Sequence, residues 1–353
     1  MALFGGQKEV VGLDIGSHSI KLVELKHKGK SKELVSFGVQ ILQPDAIVEG
    51  AIIDAMAVAD AISTLVNTQN VKRKLVATSI SGSAVIVKKI TLPRVASQEE
   101  LHESVRWEAE QYIPFPIEEV NLDYTILGKT TKGETIDVLL VAAKKDIVSF
   151  YSNAITQSGL KPVIIDIDSF AIQNAFELNY REIIESNEVV ALLNLGASKI
   201  NINIIKGENS LFTRDIGIGG NSITEAVVRD FNITREAAES VKRGVPAEGV
   251  SPGMIQNSIN QILDEISKDI KRTFEFFKAT AAEEEISRIY ICGGGAKTPG
   301  IREFLGSKFG IYVDIMNPFK GIKNKMVDLE FVSEYGPSAA IAVGLAIRKV
   351  GEV

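Results

Sequence analysis

The sequence predicts an α/β protein made of two related halves, and three observations carry that prediction. Apolar stretches of strand-like and helix-like spacing alternate along the chain. A short turn segment recurs: Asp14-Ile-Gly-Ser-His-Ser-Ile-Lys21 aligns without gaps to Asn194-Leu-Gly-Ala-Ser-Lys-Ile-Asn201, and each copy sits between two apolar runs. A triple glycine, Gly293-Gly294-Gly295, follows a further apolar strand. At roughly 100–200 residues per domain, a chain of 353 residues has room for two or three domains.

The elements follow in order. Val10 to Leu25 reads as two strands joined at Gly16-Ser17-His18-Ser19, with a third strand over Ser36–Leu42. Met56, Ala59, Ile62, Leu65 and Val66 recur at helical spacing and predict a helix over Ala55–Thr68. Lys74–Ile80 and Ala84–Ile90 are strands around Ser81-Gly82-Ser83. Ser97 with Glu100 is a capping box that opens a helix with the stripe Leu101, Val105, Ala109, Tyr112, which Pro114 and Pro116 end. A hairpin over Leu122–Leu127 and Thr135–Ala143 and a helix over Asp146–Ser158 complete a β-α-β-β-α unit near 80–165.

Beyond it come a strand at Val163–Ile167, a helix at Ser169–Asn179, and strands at Val189–Leu195 and Ile200–Ile205. Ser222-Ile-Thr-Glu225 has the form of a second capping box, and another helix starts at Thr234. Ile255, Ile259, Ile262, Leu263, Ile266, Ile270, Phe274 and Phe277 share one face of a long helix, which predicts packing on its own domain. Ser287–Cys292 is the strand before the triple glycine. A last helix rich in small residues covers Pro337–Val350.

Composition excludes several classes. With 39 Lys plus Arg against 45 Asp plus Glu, the net charge of −6 offers no general basic field for nucleic acid. The one cysteine, Cys292, cannot form an internal disulfide, and three histidines (His18, His27, His102) argue against a His-rich metal site. The longest apolar run, Ala339–Ile347, falls short of the ~20 residues that span a bilayer. Residues 1–9 hold no signal-peptide core, so a cytoplasmic location is expected, with membrane contact only through a partner.

The repeated turn carries the chemistry. Gly and Ser in a tight turn let backbone N–H groups point at an anion, and two such turns from opposite halves can clamp a polyphosphate. Asp14 can hold Mg²⁺ through water, and Lys21 can reach a phosphate. A Gly-x-x-x-x-Gly-Lys-Ser/Thr loop is absent, as is a Gly-x-Gly-x-x-Gly opening a helix after the first strand, so a nucleotide site here is neither P-loop nor dinucleotide-type.

In this order the elements resemble the actin-like ATPase superfamily. Gly12–Leu22 is similar to its first phosphate loop, Leu193–Lys199 to the second, Ile291–Ala296 to the adenosine loop and Pro337–Leu345 to the second connecting helix. Within it, Trp107-Glu-Ala-Glu-Gln-Tyr-Ile-Pro-Phe-Pro-Ile-Glu-Glu-Val-Asn-Leu-Asp-Tyr124, Asp166-Ile-Asp-Ser-Phe-Ala171 and Asn317-Pro-Phe319 resemble the PilM family of type IV pilus assembly, over nearly the whole chain.

That resemblance implies an actin-like ATPase fold: two related ribonuclease-H-like domains with an FtsA-like inserted subdomain. The first subdomain would take residues 1–80, 166–188 and 320–353, the insert 81–165, the second actin-like subdomain 189–220 and 285–319, and a helical nucleotide-capping subdomain 221–284.

It also implies ATP and Mg²⁺ as ligands. Asp14 would be the water-mediated Mg²⁺ ligand, Gly16, Ser17 and Ser19 would face the phosphates, and Lys21 the outer phosphates. Gly196, Ala197, Ser198 and Lys199 would clamp from the other side, and Gly219 and Gly220 would approach at a helix N-terminus. Glu239 and Lys242, three apart on one helix face, would reach ribose and adenine, although a solvated ion pair is the plainer reading. Gly294 and Gly295 would border the nucleoside.

Asn194 stands where relatives often carry Asp, and a neutral amide cannot act as a base. Asp168 matches a place where bacterial relatives often carry Glu. Binding with slow or absent hydrolysis is therefore expected, with nucleotide holding the two halves closed.

The implied partner is the short cytoplasmic N-terminal peptide of the inner-membrane protein PilN, in a groove between first subdomain and insert. Other pilus inner-membrane and motor components and self-association stay open. Trp107, Tyr112 and Phe115 are candidate anchors for that peptide, or else pack internally around Pro114 and Pro116. Three other readings compete with it. An FtsA-like cell-division filament protein predicts a terminal amphipathic anchor, for which the segment after the last helix has no room. A superfamily small-molecule kinase needs a carboxylate base, which Asn194 weakens. A type II secretion scaffold usually has a transmembrane segment on the same chain.

Overall fold

β1 (Val11–Ile15) is buried at every position, Asp14 included, as a central strand covered on both faces requires. It pairs antiparallel with β2 (Ser19–Lys28), which pairs antiparallel with β3 (Ser31–Ile41). A small hairpin, β4 (Ile47–Val48) and β5 (Ala51–Ile52), leads to α1 (Ala55–Thr68), whose N-cap Asp54 accepts from the Ala57 N–H. β6 (Leu75–Ile80) returns parallel to β1. The computed structural model describes residues 8–351 apart from 30, 96, 128–133 and 282–283; the start of the N-terminal segment read above and the last two residues lie outside the described residues.

The insert is a three-stranded antiparallel sheet, β7 (Val85–Pro93), β8 (Val120–Leu127) and β9 (Thr135–Lys144), with β9 in the middle. α2 (Gln98–Ala109) covers one face by packing Leu101 and Val105 on Val138 and Leu140. Ser97 caps α2 as predicted, accepting from Glu100 N–H. α3 (Lys145–Gln157) follows, but its buried Tyr151, Ala154 and Ile155 join the core of β1, β2 and α1. β10 (Lys161–Ile167) pairs parallel with β6. The expected insert boundary at 165 therefore falls inside the first sheet; the insert's own sheet ends at Lys144.

α4 (Asp168–Asn179) and α5 (Arg181–Ser186) lead to the second half. Here β11 (Val189–Leu195), β12 (Ile200–Lys206) and β13 (Asn209–Ile216) are antiparallel neighbours. α6 (Gly220–Phe231), α7 (Arg235–Lys242) and α8 (Gln256–Thr280) follow. β14 (Ile286–Cys292), α9 (Ile301–Phe309) and β15 (Tyr312–Ile315) add two parallel strands beside β11. β16 (Ile322–Asn324) crosses back to β3, and α10 (Leu329–Tyr335) and α11 (Ala340–Ile347) finish the chain.

The two sheets repeat one plan. The first runs β10-β6-β1-β2-β3 with β16 added; the second runs β15-β14-β11-β12-β13. In both, three antiparallel strands come first and two parallel strands stack on the side of the first. The echo in the turns is thus an echo of whole domains in an α/β architecture.

α4 and α11 lie between the sheets. Val23 and Leu25 of one sheet and Val190 and Leu192 of the other join a single core with Ala171, Phe176, Ala342 and Leu345. The small residues of α11 make this possible: a Cβ on Gly344 would sit 1.7 Å from Ala171 O, and one on Gly12 2.0 Å from Ala342 O. Only hydrogen fits where these backbones cross. The apolar face of α8 packs on its own half, as its spacing predicted.

Two boundaries needed correction. The capping box at Ser222 is not formed: α6 begins at Gly220 with Gly219 as N-cap, and Gly220 N–H and Asn221 N–H already donate to Gly196 O and Ala197 O. The last helix is shorter than predicted, entered by a 3-10 turn over Gly336–Ala339 and ending at Ile347.

Candidate functional site

The two repeated turns meet tip to tip. Gly16 N–H donates to Ser19 O at 3.2 Å, and Gly196 N–H donates to Lys199 O at 3.0 Å, so both tips have the same tight form. Ser17 Oγ donates to Ser198 Oγ at 2.9 Å across the gap between the halves. Behind each tip the same register positions face one another: Asp14 opposite Lys21, and Asn194 opposite Asn201. The first pair is an ion pair at 3.2 Å; the second is an amide hydrogen bond at 2.8 Å.

These residues line one cleft between the halves, together with Gly220, Glu239, Lys242, Gly294 and Gly295. Asp14 is buried, and burial pushes its carboxyl above the ordinary 3.8, against the pull of Lys21. Ser19 is buried beside it and its carbonyl accepts from Lys21 Nζ at 3.2 Å.

Glu239 and Lys242 are not a solvated pair. Their side chains are about 15% and 14% exposed, and Lys242 Nζ lies 2.6 Å from Glu239 Oε1. Lys242 also donates to Thr224 Oγ1 at 2.6 Å and Gly220 O at 3.1 Å, which ties α7 to the start of α6. Burial raises the Glu239 carboxyl, but Lys242 and Thr224 outweigh it and hold the group below 4.5; burial pulls the Lys242 ammonium below 10.5.

Some expected contacts are placed differently. Gly219 faces away from the cleft, packed behind the second turn. The first N–H groups of α6 are taken by that turn's carbonyls, so the helix start braces the turn. Lys199 turns toward the first half, where Nζ donates to Ser81 Oγ at 3.0 Å. Asn194 donates its amide to Asn201, and Asn201 donates to Asp215 Oδ1 at 2.8 Å. Asp168 accepts from Ser79 Oγ at 2.6 Å and Ser81 Oγ at 2.5 Å. Burial pushes the Asp215 carboxyl above 3.8, with Asn201 opposing.

Several cleft residues were given no role by the sequence reading. His18 lies at the first tip; burial pulls its imidazole below 6.5, with Glu239 opposing and Lys242 reinforcing. At the glycine end, Lys297 Nζ sits 5.4 Å from the Tyr335 ring and 3.8 Å from Glu334. Position in the first turn was the available clue for His18. Tyr335 lies on α10, which was not predicted.

Magnesium fits this chemistry in a limited way. Among the described residues no group of three or more His, Cys, Asp or Glu side chains converges on one point. A lone buried carboxylate, Asp14, suits an ion that keeps most of its shell as water and phosphate oxygen.

A second cavity of about 1270 Å³ lies between the insert and the first sheet. One wall is the face of β8 and β9 that pairs Asp123 with Val141 and Thr125 with Leu139. The other wall comes from Ile164 on β10, Phe170 and Leu178 on α4 and Ile184 on α5. Asp166 and Arg348 form a half-hidden ion pair along it. The three aromatic candidates do not line this groove: α2, which carries Trp107, lies on the opposite face of the insert sheet, and Tyr112 and Phe115 follow it. Trp107 is 78% exposed, Tyr112 lies under Lys88 Nζ at 5.1 Å, and Phe115 packs at the insert core with Lys144 Nζ 4.2 Å from its ring.

The sequence matches, over residues 12–350, the family described as type IV pilus assembly protein PilM. The chain belongs to this family. A solved PilM–PilN type IV pilus biogenesis complex contains a chain 32% identical to it; 98% of this chain and 100% of that one superpose with a TM-score of 0.87. The ethanolamine utilization protein EutJ from Carboxydothermus hydrogenoformans matches at 14% identity, 97% and 90% coverage and TM-score 0.59. MreB5 of Spiroplasma citri, bound to ADP, matches at 14%, 96% and 95% coverage and TM-score 0.52. These two distant likenesses show the fold alone, and that fold is actin-like. Among the described residues of this PilM-family chain, no helix is long and apolar enough to cross a membrane.

Proposed function

We propose that this chain is an ATP-binding adaptor of pilus assembly that seats the cytoplasmic N-terminal peptide of PilN and is held closed by nucleotide. The observation that carries the reading is the large groove between insert and first sheet, in a chain that superposes end to end on one from a PilM–PilN complex. The groove offers apolar Leu139, Val141 and Ile164 for side chains, and two sheet-edge strands, β8 and β10, for backbone. Through PilN the chain would sit at the inner membrane.

On this reading the phosphates lie between the two turns, near Gly16, Ser17, Ser19, Gly196, Ala197 and Ser198. Lys21 neutralises the outer phosphates. Asp14 would hold Mg²⁺ through water, and the ion would supply charge neutralisation to the phosphates. Gly294 and Gly295 admit the nucleoside, and Glu239 and Lys242 reach ribose and base. Hydrolysis is slow, since Asn194 spends its amide on Asn201 and Asp168 already accepts from two serines. A ligand that touches both turns favours the closed arrangement over an open one.

The test is fluorescence anisotropy of a labelled PilN N-terminal peptide from the same organism, with and without Mg-ATP. Saturable binding is expected. A folded protein that binds no peptide in either condition would overturn the adaptor reading and lead to filament and kinase assays.

A further inference from the structure

The first sheet gathers lysines at one of its ends. β1, β6 and β10 run parallel and start at the end away from the nucleotide cleft, where β2 finishes and β3 starts. Lys8 precedes β1, Lys72 and Lys74 precede β6, and Lys161 opens β10. Lys26 and Lys28 close β2, and Lys323 lies in β16, which pairs with the first residues of β3. All of these lysines are exposed. The sheet has six strands, and at about 4.8 Å between neighbours the end is about 24 Å wide.

The acids that these strands bring to the same end are already committed. Arg73 donates to Glu9 Oε2 at 2.6 Å and lies 3.5 Å from Glu24, and Glu9 also accepts from His27 N–H at 2.8 Å. Glu33 is paired with Lys28. Among the described residues, Lys8, Lys72, Lys74, Lys161 and Lys323 make no ion pair. Two uncovered apolar side chains stand next to this array: Met326 is 75% and Leu329 73% exposed. Asn324 Oδ1 accepts from Met326 N–H at 3.2 Å and Val327 N–H at 3.0 Å, which holds the turn that presents Met326 beside Lys325.

We propose that this lysine-bearing end of the first sheet is a docking face for an anionic lipid surface, so that the chain touches the membrane directly as well as through a partner. In a chain of net charge −6, cations gathered at one end turn that end toward a negative surface. Lysines beside exposed apolar side chains suit a headgroup region, where the apolar groups find hydrocarbon. A nucleic acid backbone offers Met326 and Leu329 nothing. Lys32 and Arg348, from the same end, also line the peptide groove, so a peptide leading to a membrane protein would leave beside this face. That last point rests on the adaptor reading; the charges and the apolar pair do not.

The test is sedimentation of the full chain, without PilN peptide, with vesicles of phosphatidylglycerol and phosphatidylethanolamine in equal parts. Phosphatidylcholine vesicles are the neutral control. Binding to the anionic vesicles alone is expected, and it should fade toward 1 M salt, where the screening length is about 3 Å. Lys72→Gln, Lys74→Gln and Lys323→Gln combined should weaken vesicle binding roughly a hundredfold, about fivefold for each charge. Lys268→Gln, Lys271→Gln and Lys278→Gln combined, on α8 of the other half, change net charge equally and should bind vesicles within twofold of the wild type. Absent binding to anionic vesicles, equal binding to phosphatidylcholine, or an equal loss in the α8 variant overturns the proposal. A DNA duplex bound more tightly than the vesicles at the same salt also overturns it and assigns the face to nucleic acid. A folded chain that binds anionic vesicles but no PilN peptide overturns the adaptor reading and leaves this proposal standing.

Discussion

Gly219→Ala tests the brace between α6 and the second phosphate turn. Gly219 has φ −158°, an extended conformation open to any residue, so the substitution acts through space alone. A Cβ there would lie 2.6 Å from Ala197 O and 2.7 Å from Gly196 O. Reaching ordinary contact at 3.4 Å requires these carbonyls to retreat by about 0.7–0.8 Å. They accept the Asn221 and Gly220 N–H groups at 2.8 and 2.9 Å, and such a retreat carries both beyond hydrogen-bonding distance. Two neutral hydrogen bonds at about 0.5–1.5 kcal/mol each amount to roughly 1–3 kcal/mol. If nucleotide binding must restore the turn, affinity falls by about 5- to 140-fold at 1.4 kcal/mol per decade. The assay is titration with Mg-AMPPNP, with thermal unfolding as the check on folding. Gly217→Ala is the control, since its added Cβ meets nothing within 4 Å. A Gly219→Ala protein that binds nucleotide within twofold of the control would refute the argument.

Four further outcomes are expected. Asp14→Ala should remove the Mg²⁺ dependence of nucleotide binding while the chain stays folded; tight binding that still responds to Mg²⁺ would sink the metal assignment. Glu239→Gln leaves the Lys242 ammonium buried without its carboxylate and should cost about 1–3 kcal/mol in urea unfolding at pH 7. Because Glu239 is held below 4.5, its contribution is complete above that pH and is lost as pH falls through the lowered value, so the variant's deficit should shrink in acid; a deficit that grows in acid would contradict the assignment. Trp107→Ala, at a 78% exposed side chain, should change stability by less than about 0.5 kcal/mol and leave peptide affinity unchanged; a fivefold loss of peptide would move the groove onto α2. Val141→Asp should weaken peptide binding by at least about tenfold, or 1.4 kcal/mol, and leave nucleotide affinity measured without peptide as in the wild type.

Much of the second half's plan was legible because burial on both faces leaves a continuous apolar run. Val189–Leu193 is such a run, and Ile200–Ile205 keeps isoleucine on one face with Asn201 and Asn203 between; both segments are strands. β13 was missed: it is an edge strand, half-buried over most of its length, and Asn209–Asp215 shows no clean alternation. β15, with four residues, and α10, with seven, are too short to establish a period. The expected insert boundary at 165 falls within β10 for another reason. Helical spacing in α3 reports that one face is buried, and it carries no information on which core receives that face.

Local sequence determined the two turns, the capping of α1 and α2 and the small-residue helix that lets the halves approach, since each depends on neighbours within a few residues or on side-chain size alone. It also marked Asp14 and Lys21 as polar groups in suggestive positions, to which the family resemblance added Glu239 and Lys242. Only the tertiary structure decided what they touch. Asp14 and Lys21 pair because β1 and β2 set them opposite each other, whereas Lys199 leaves its own turn for Ser81, 118 residues away. Trp107, prominent in the sequence, lies on the far face of the insert sheet, and the groove is walled instead by strands that meet only when the two units pack. Contacts of that separation follow from the stacking of sheets and helices, which no local pattern records.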